Sequence, residues 1–154
     1  MSVENAKSFI IGYYHTLISR QQDLAKFYSP EPKIWRKSAD STLAIQINEK
    51  VDTIFPKVDE KSDFNLIDFT ICPRDKDVVV HVYGNVTLEG AKKFFVQTFT
   101  LLEKDGITSV VDDMLYFSHP NSILSPGDEL YEHSTRSQPK QTRSNQFAPY
   151  TPGK

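Results

Sequence analysis

Hydrophobic residues follow two rhythms along this chain, and the change comes at Pro56. Before it, Ala6, Phe9, Ile10, Tyr13, Tyr14 and Leu17 recur at the three- and four-residue spacing that places one apolar stripe along a helix. Ser2 is positioned to cap that helix, with Glu4 in its first turn. Asp23 to Tyr28 predicts a short second helix carrying Leu24, Phe27 and Tyr28, which Pro30 and Pro32 bring to a stop. Ile34-Trp35-Arg36 reads as a brief strand. A third helix is predicted where Leu43, Ala44, Ile47, Val51 and Ile54 repeat at three and four, capped by Ser41 or Thr42 and ended by Pro56.

After Pro56 the period shortens. Phe64 to Ile71 is rich in β-branched and aromatic residues and predicts a strand, with a turn at Pro73 to Asp77. Val78 to Tyr83, Lys93 to Leu102 and Val110 to Phe117 predict three more, joined at Glu89-Gly90 and Lys104-Asp105-Gly106 into a meander of hairpins. At least the first two of these three runs are apolar on both faces, whereas an antiparallel sheet with one wet face alternates. The predicted helices are short and lie before Pro56, enough to cover one face. The other face is therefore expected to be covered by a second copy of the chain, giving a homodimer.

From Ser118 onward the pattern dissolves. Pro120, Pro126, Pro139, Pro149 and Pro152 stand among Ser, Gln, Asn and Thr, a composition unable to offset the roughly 1 to 2 kcal/mol per residue lost on ordering. The expected organisation is one domain over residues 1–119 and a flexible tail over residues 120–154. The net charge of −2 gives no overall reason to seek nucleic acid. Its distribution is uneven, because residues 1–117 hold 17 acidic against 14 basic side chains and nothing acidic follows Glu132. Arg136, Lys140, Arg143 and Lys154 in the tail make a sparse footprint, so RNA is expected to bind only weakly or indirectly. Cys72 is the one cysteine, which excludes an intramolecular disulfide framework and fits a reducing compartment. Met1 to Ser8 lacks the layout of a secretory signal and no apolar run is long enough to span a bilayer. These features predict a soluble intracellular protein, cytoplasmic with access to the nucleus or its envelope, and make Asn85-Val86-Thr87 a chance sequon.

Five segments in order carry a resemblance over about Val3 to Phe117: Phe9-Ile10-Ile11-Gly12-Tyr13-Tyr14, Leu24-Ala25-Lys26-Phe27-Tyr28, Val80-His81-Val82-Tyr83-Gly84, Phe95-Val96-Gln97-Thr98-Phe99 and Asp112-Asp113-Met114-Leu115-Tyr116-Phe117. Helices followed by such a sheet resemble the nuclear transport factor 2-like family. The resemblance implies a cone-shaped α+β fold, with three N-terminal helices packed on a strongly bent antiparallel sheet that dimerises through its open face. Phe95 to Phe99 and Lys26-Phe27-Tyr28 look most like the amino-terminal domain of the Ras-GTPase-activating-protein-binding proteins, scaffolds of ribonucleoprotein granules. Trp35 sits where nuclear transport factor 2 itself carries an aromatic residue for phenylalanine-glycine nucleoporins. Gly84 to Gly90 is similar to the small partner subunit of the mRNA export receptor. Arg36 and the single acid Glu89 of the following loop depart from the acidic Ran-binding pattern, which argues against that role.

The granule-scaffold branch implies a groove for short phenylalanine-containing peptides. Phe9, Phe27, Phe99 and Leu101 fall on its positions, and Thr108 stands where the family has another phenylalanine. Core packing is the default reading of Phe9 and Phe99, which lie at periodic apolar positions. Phe27, ending a short helix beside prolines, is the stronger candidate, and Trp35 is either an exposed anchor or a lid on the core. A small isomerase or dehydratase is the enzymatic alternative, in which His81, Asp68 or Tyr116 points into the cone. No base paired with an orienting group is visible, His15, His81, His119 and His133 lack metal-ligand spacing, and the six glycines form no phosphate loop. The expectation is thus a dimeric, non-enzymatic peptide-docking module without cofactor, metal or membrane partner, the runner-up being a transport factor for nucleoporins or an export receptor.

Overall fold

The computed structural model describes residues 1–38, 41–47, 55–58 and 62–118, and Met1–Ser118 forms one compact unit. The predicted tail over residues 120–154 lies outside the described residues.

Helix α1 spans Val3–Ser19. The Ser2 hydroxyl accepts the Asn5 N–H at 3.0 Å, satisfying one of the donors that every helix start leaves open. Ala6, Ile10, Tyr13, Tyr14 and Leu17 are buried along one face, as their spacing requires. The second helix is a single 3-10 segment, Gln21–Phe27, rather than an α-helix, with only Leu24 buried. It has no side-chain cap at its start. Gln21 secures that end instead, its amide donating to the carbonyls of Phe55 and Pro56 and accepting the Val58 N–H.

Six strands are described: β1 (Tyr28–Lys37), β2 (Ile45–Ile47), β3 (Phe64–Pro73), β4 (Val78–Leu88), β5 (Ala91–Lys104) and β6 (Ile107–Ser118). They form one sheet in the order β2-β1-β6-β5-β4-β3. The hairpins β4–β5 and β5–β6 turn through Glu89-Gly90 and Asp105-Gly106, all four residues at positive φ, the geometry that matches two-residue loops to strand twist.

Two expectations are corrected. The sheet is mixed rather than wholly antiparallel, because β1 runs parallel to β6. No hairpin ties β1 to β6, so the turn rule that fixed the other pairs does not reach it. The third helix is also not observed where it can be checked. Ile45–Ile47 is extended and pairs antiparallel with Ile34–Arg36, the β-branched alternation of Ile-Gln-Ile having won over the helical spacing of Leu43, Ala44 and Ile47. The remainder of that predicted helix, residues 48–54, lies outside the described residues. The brief strand at Ile34 to Arg36 lengthens to all of β1, and Pro30 and Pro32 fall where the β1–β6 register is interrupted.

One sheet face is the core. Val80, Val82, Phe95, Phe99, Leu101, Val110 and Leu115 are fully buried, and Phe95 and Phe99 meet Tyr13 and Tyr14 of α1. The alternate residues, among them Val79, Val96, Met114, Tyr116 and Trp35, are half-buried on the opposite face, where Tyr83 is 46% exposed. In register across that face run Gln46, Trp35, Met114, Thr98, His81 and Thr70. Close strand approach is enforced at Gly84, where an added Cβ would meet the Asn65 carbonyl oxygen at 2.5 Å and the Phe95 ring at 3.0 Å.

Candidate functional site

Phe9 leaves α1 on the side facing the 3-10 helix, and Phe27 ends that helix just before the chain enters β1. Their rings meet edge to face with centroids 5.3 Å apart, and Tyr13 meets Phe27 in the same manner at 5.6 Å. Both phenylalanines are half-buried. They line an open depression of about 280 Å³ together with Thr16, Arg20, Asp23 and Lys26. Asp23 holds Arg20 at 3.2 Å and Lys26 at 3.9 Å, so the rim carries two cations and one carboxylate around an aromatic floor.

The other predicted site residues do not line this depression. Phe99 is fully buried and packs edge-on under Tyr13 at 4.9 Å, one layer beneath the floor. Leu101 is fully buried between Val78 and Val110 of the flanking strands. Both occupy the inward phase of β5, which the core needs. Trp35 lies on the opposite sheet face, in register with Met114, and Thr108 pairs with Glu103 near the β5–β6 turn. The structure thus brings together Phe9 and Phe27, places Phe99 beneath them, and separates Trp35, Leu101 and Thr108 from them.

Of the residues weighed for catalysis, His81 and Asp68 stand on outward, exposed positions, His81 within 3.0 Å of the Thr98 hydroxyl and Asp68 accepting the Phe69 N–H. Tyr116 is half-buried on the same outward phase of β6. None of the three enters the core.

The core is nonetheless ionised. Asp113, fully buried on β6, accepts four side-chain hydrogen bonds: from Arg36 Nη1 and Nη2 at 3.1 Å each, from Gln97 Nε2 at 2.9 Å and from the Tyr28 hydroxyl at 2.5 Å. A carboxylate only accepts, so the directions of the remaining bonds follow. The Tyr28 hydroxyl donates its hydrogen bond to Asp113 and therefore accepts from Tyr13, 2.7 Å away, while Gln97 presents its carbonyl oxygen to the Tyr14 hydroxyl at 2.5 Å. Burial raises the pKa of all three tyrosines, reinforced for Tyr28 by the Asp113 charge and for Tyr14 by Tyr13. For Arg36, burial opposes the cation but the Asp113 carboxylate outweighs it, and the net shift is upward. Sequence reasoning passed over this network. Its signal was one of phase: Gln97 alternates with Phe95 and Phe99, Asp113 with Leu115, and Arg36 with Ile34, three polar residues at inward positions of three strands.

Neighbouring Asp112 faces the other way. Burial raises its pKa against the opposing pull of Lys33, and its Oδ1 has no hydrogen-bond partner among the described residues.

The family model of the nuclear transport factor 2 (NTF2) domain matches residues 5–117. This chain belongs to the NTF2 domain family. Solved structures share the fold at low identity. The yeast UBP3-associated protein BRE5 is 19% identical with a TM-score of 0.60, over 77% of this chain and 99% of that one. An NTF2-like protein of unknown function from Pseudomonas putida KT2440 is 13% identical with a TM-score of 0.54, over 77% and 87%. A putative calcium/calmodulin-dependent protein kinase II association domain from Xanthomonas campestris is 12% identical with a TM-score of 0.56, over 79% and 91%. No curated protein matches significantly. Within the NTF2 family, then, the described residues of this domain combine α1 and the 3-10 helix with a mixed sheet and a buried ion pair.

Proposed function

We propose that this NTF2 domain is a non-catalytic docking module that seats a phenylalanine side chain of a partner protein in the depression between α1 and the 3-10 helix. The observation that carries this reading is the Phe9–Phe27 pair, two aromatic rings held edge to face yet left half-open to solvent. An aromatic side chain entering there completes the cluster Phe9, Phe27 and Tyr13, and edge-to-face contacts add to the gain from burial. The rim of Arg20 and Lys26 against Asp23 alone favours neutral or acidic residues beside that phenylalanine. A phenylalanine-glycine repeat supplies such an anchor with little steric demand next to it.

The half-buried apolar face around Trp35, Met114, Val96 and Tyr83 supports self-association as the second element of the reading. Two grooves per dimer then give a bivalent partner avidity without new contacts. By resemblance to the granule scaffolds, the setting we propose is ribonucleoprotein assembly in the cytoplasm, without a cofactor and with RNA reached through partners. Acid-base chemistry in the cone is disfavoured by Asp113, whose lone pairs already serve four donors.

Titration with a fluorescent phenylalanine-glycine peptide tests the groove. Phe27→Ala is expected to weaken binding about ten-fold or more, the loss that follows from removing a wall against which an aromatic anchor buries. Unchanged affinity in the folded variant removes Phe27 from the site. Sedimentation equilibrium tests the second element: a homodimer is expected, and Met114→Lys is expected to shift it toward monomer. A chain that stays monomeric at all accessible concentrations refutes self-association.

A further inference from the structure

The groove wall Gln21–Phe27 is a 3-10 helix, a form with poorer hydrogen-bond geometry than an α-helix, and it lacks a side-chain cap at its start. Its position depends on what holds its ends and its middle. Gln21 ties the first end to Phe55, Pro56 and Val58, and Leu24 is inserted in the core. At the other end, Phe27 is followed by Tyr28, whose hydroxyl lies between Tyr13 and Asp113. Tyr13 in turn packs on the Phe27 ring. Asp113 is itself fixed by two bonds from Arg36 and one from Gln97.

We propose that Asp113 is the positioning residue of the peptide groove: through Tyr28 and Tyr13 it holds Phe27 at the angle to Phe9 that leaves the depression open. The inference rests on the docking reading above for its consequence, but not for its geometry. With the Tyr28 hydroxyl gone, the hydrogen-bonded link from Asp113 to Tyr13 is cut, while the pairing of Tyr28 with Val110, both rings, the Arg36 pair and the Gln97 bond remain. The wall then samples arrangements in which Phe27 closes over Phe9, and the apparent affinity falls by the fraction of molecules that stay open.

The test uses the full chain, the phenylalanine-glycine peptide and Tyr28→Phe, with Val86→Ala in β4, a buried position paired with Phe64 and Lys93, as a control destabilised in the sheet away from the groove and from Gln97. Two signals are read: peptide affinity, and the methyl resonances of Leu24, which sit in the middle of the wall. Tyr28→Phe is expected to lower affinity about five-fold, as when one molecule in five keeps the open arrangement, and to shift or broaden the Leu24 methyl signals. Val86→Ala is expected to leave both near wild type despite its lower stability. Should Tyr28→Phe fail to fold, Tyr13→Phe cuts the same chain one bond later and is read in its place. Wild-type affinity with unmoved Leu24 signals overturns the proposal, and so does an equal loss in Val86→Ala, which makes the effect one of general stability. If the wild-type chain does not bind the peptide, the docking reading fails alone. The positioning claim is then decided by the Leu24 signals, kept if they move in Tyr28→Phe and refuted if they do not.

Discussion

Replacing Asp113 by Asn removes one charge and almost no volume, which isolates the electrostatic worth of the buried network. The four donors divide evenly: Arg36 Nη1 and Gln97 Nε2 meet Oδ1, and Arg36 Nη2 and the Tyr28 hydroxyl meet Oδ2. An asparagine keeps one acceptor oxygen and presents an NH₂ group at the other place. If the oxygen stays with Gln97, the NH₂ faces the Tyr28 hydroxyl, which can rotate to accept, and Arg36 Nη2, which cannot. Breaking a buried ion pair by removing one partner costs about 3 to 5 kcal/mol, because the desolvated partner loses its compensation. A domain of this size has only about 5 to 15 kcal/mol of stability to lose. Urea unfolding followed by circular dichroism measures the change, and an unchanged m-value confirms that the unfolded states are comparable. A second variant, Arg36→Met with Asp113→Leu, is expected to recover only part of the loss, since an apolar pair of similar volume often matches a buried ion pair but the buried Gln97 amide and Tyr28 hydroxyl lose their acceptor. A loss below about 1 kcal/mol in Asp113→Asn refutes the reasoning, for that is the worth of one ordinary hydrogen bond.

The three buried tyrosines give the protein an alkaline limit. Their folded-state pKa values lie above the ordinary value of 10.0, so above that pH the unfolded chain has released protons that the folded one keeps. The stability they contribute is complete below pH 10 and is lost as pH rises beyond it. Absorbance at 295 nm is expected to show the exposed tyrosines titrating first and the buried ones only together with loss of circular dichroism; smooth titration of all tyrosines in a folded chain contradicts this. Gly84→Ala is expected to cost about 1 to 3 kcal/mol, since its Cβ falls 2.5 Å from the Asn65 carbonyl and β3 must move away from β4. Wild-type melting of that variant would show that the contact relaxes freely.

Much of this fold was legible because the decisive forces were local. The α1 stripe needs only its own spacing, and the hairpins need only Glu89-Gly90 and Asp105-Gly106 with apolar runs on either side. Where the deciding contact was distant, the reading failed. β2 exists through pairing with β1, and Leu43, Ala44 and Ile47 taken alone satisfy a helix equally well. The parallel pairing of β1 with β6 joins segments on either side of the whole meander, beyond the reach of any turn rule. The site divides in the same manner. The partial exposure of Phe27 was legible from its place at a helix end beside prolines, whereas Phe99 and Leu101 share the inward phase of β5 with Phe95 and serve the core. The phase of Gln97 and Asp113 was visible, yet nothing in it says that one carboxylate would gather both together with Arg36 and Tyr28.

The same carboxylate bears on whether the domain works by chemistry or by shape. A general base needs a lone pair facing a substrate proton and a pKa near the working pH. Asp113 has spent its acceptor capacity on Arg36, Gln97 and Tyr28, and it lies fully buried beside Phe99, its partner across β5 and β6. Freeing it means dismantling bonds of the same worth as those removed in Asp113→Asn. The two readings therefore predict opposite responses to one substitution. In a catalytic domain, Asp113→Asn abolishes turnover while the fold survives on the remaining contacts. In a docking module, it lowers stability by several kcal/mol, and any loss of peptide affinity follows from displacement of the groove wall, in step with Tyr28→Phe. Measuring stability and peptide affinity in both variants separates these outcomes, and a stable Asp113→Asn variant with intact peptide binding would leave the network without the role assigned to it.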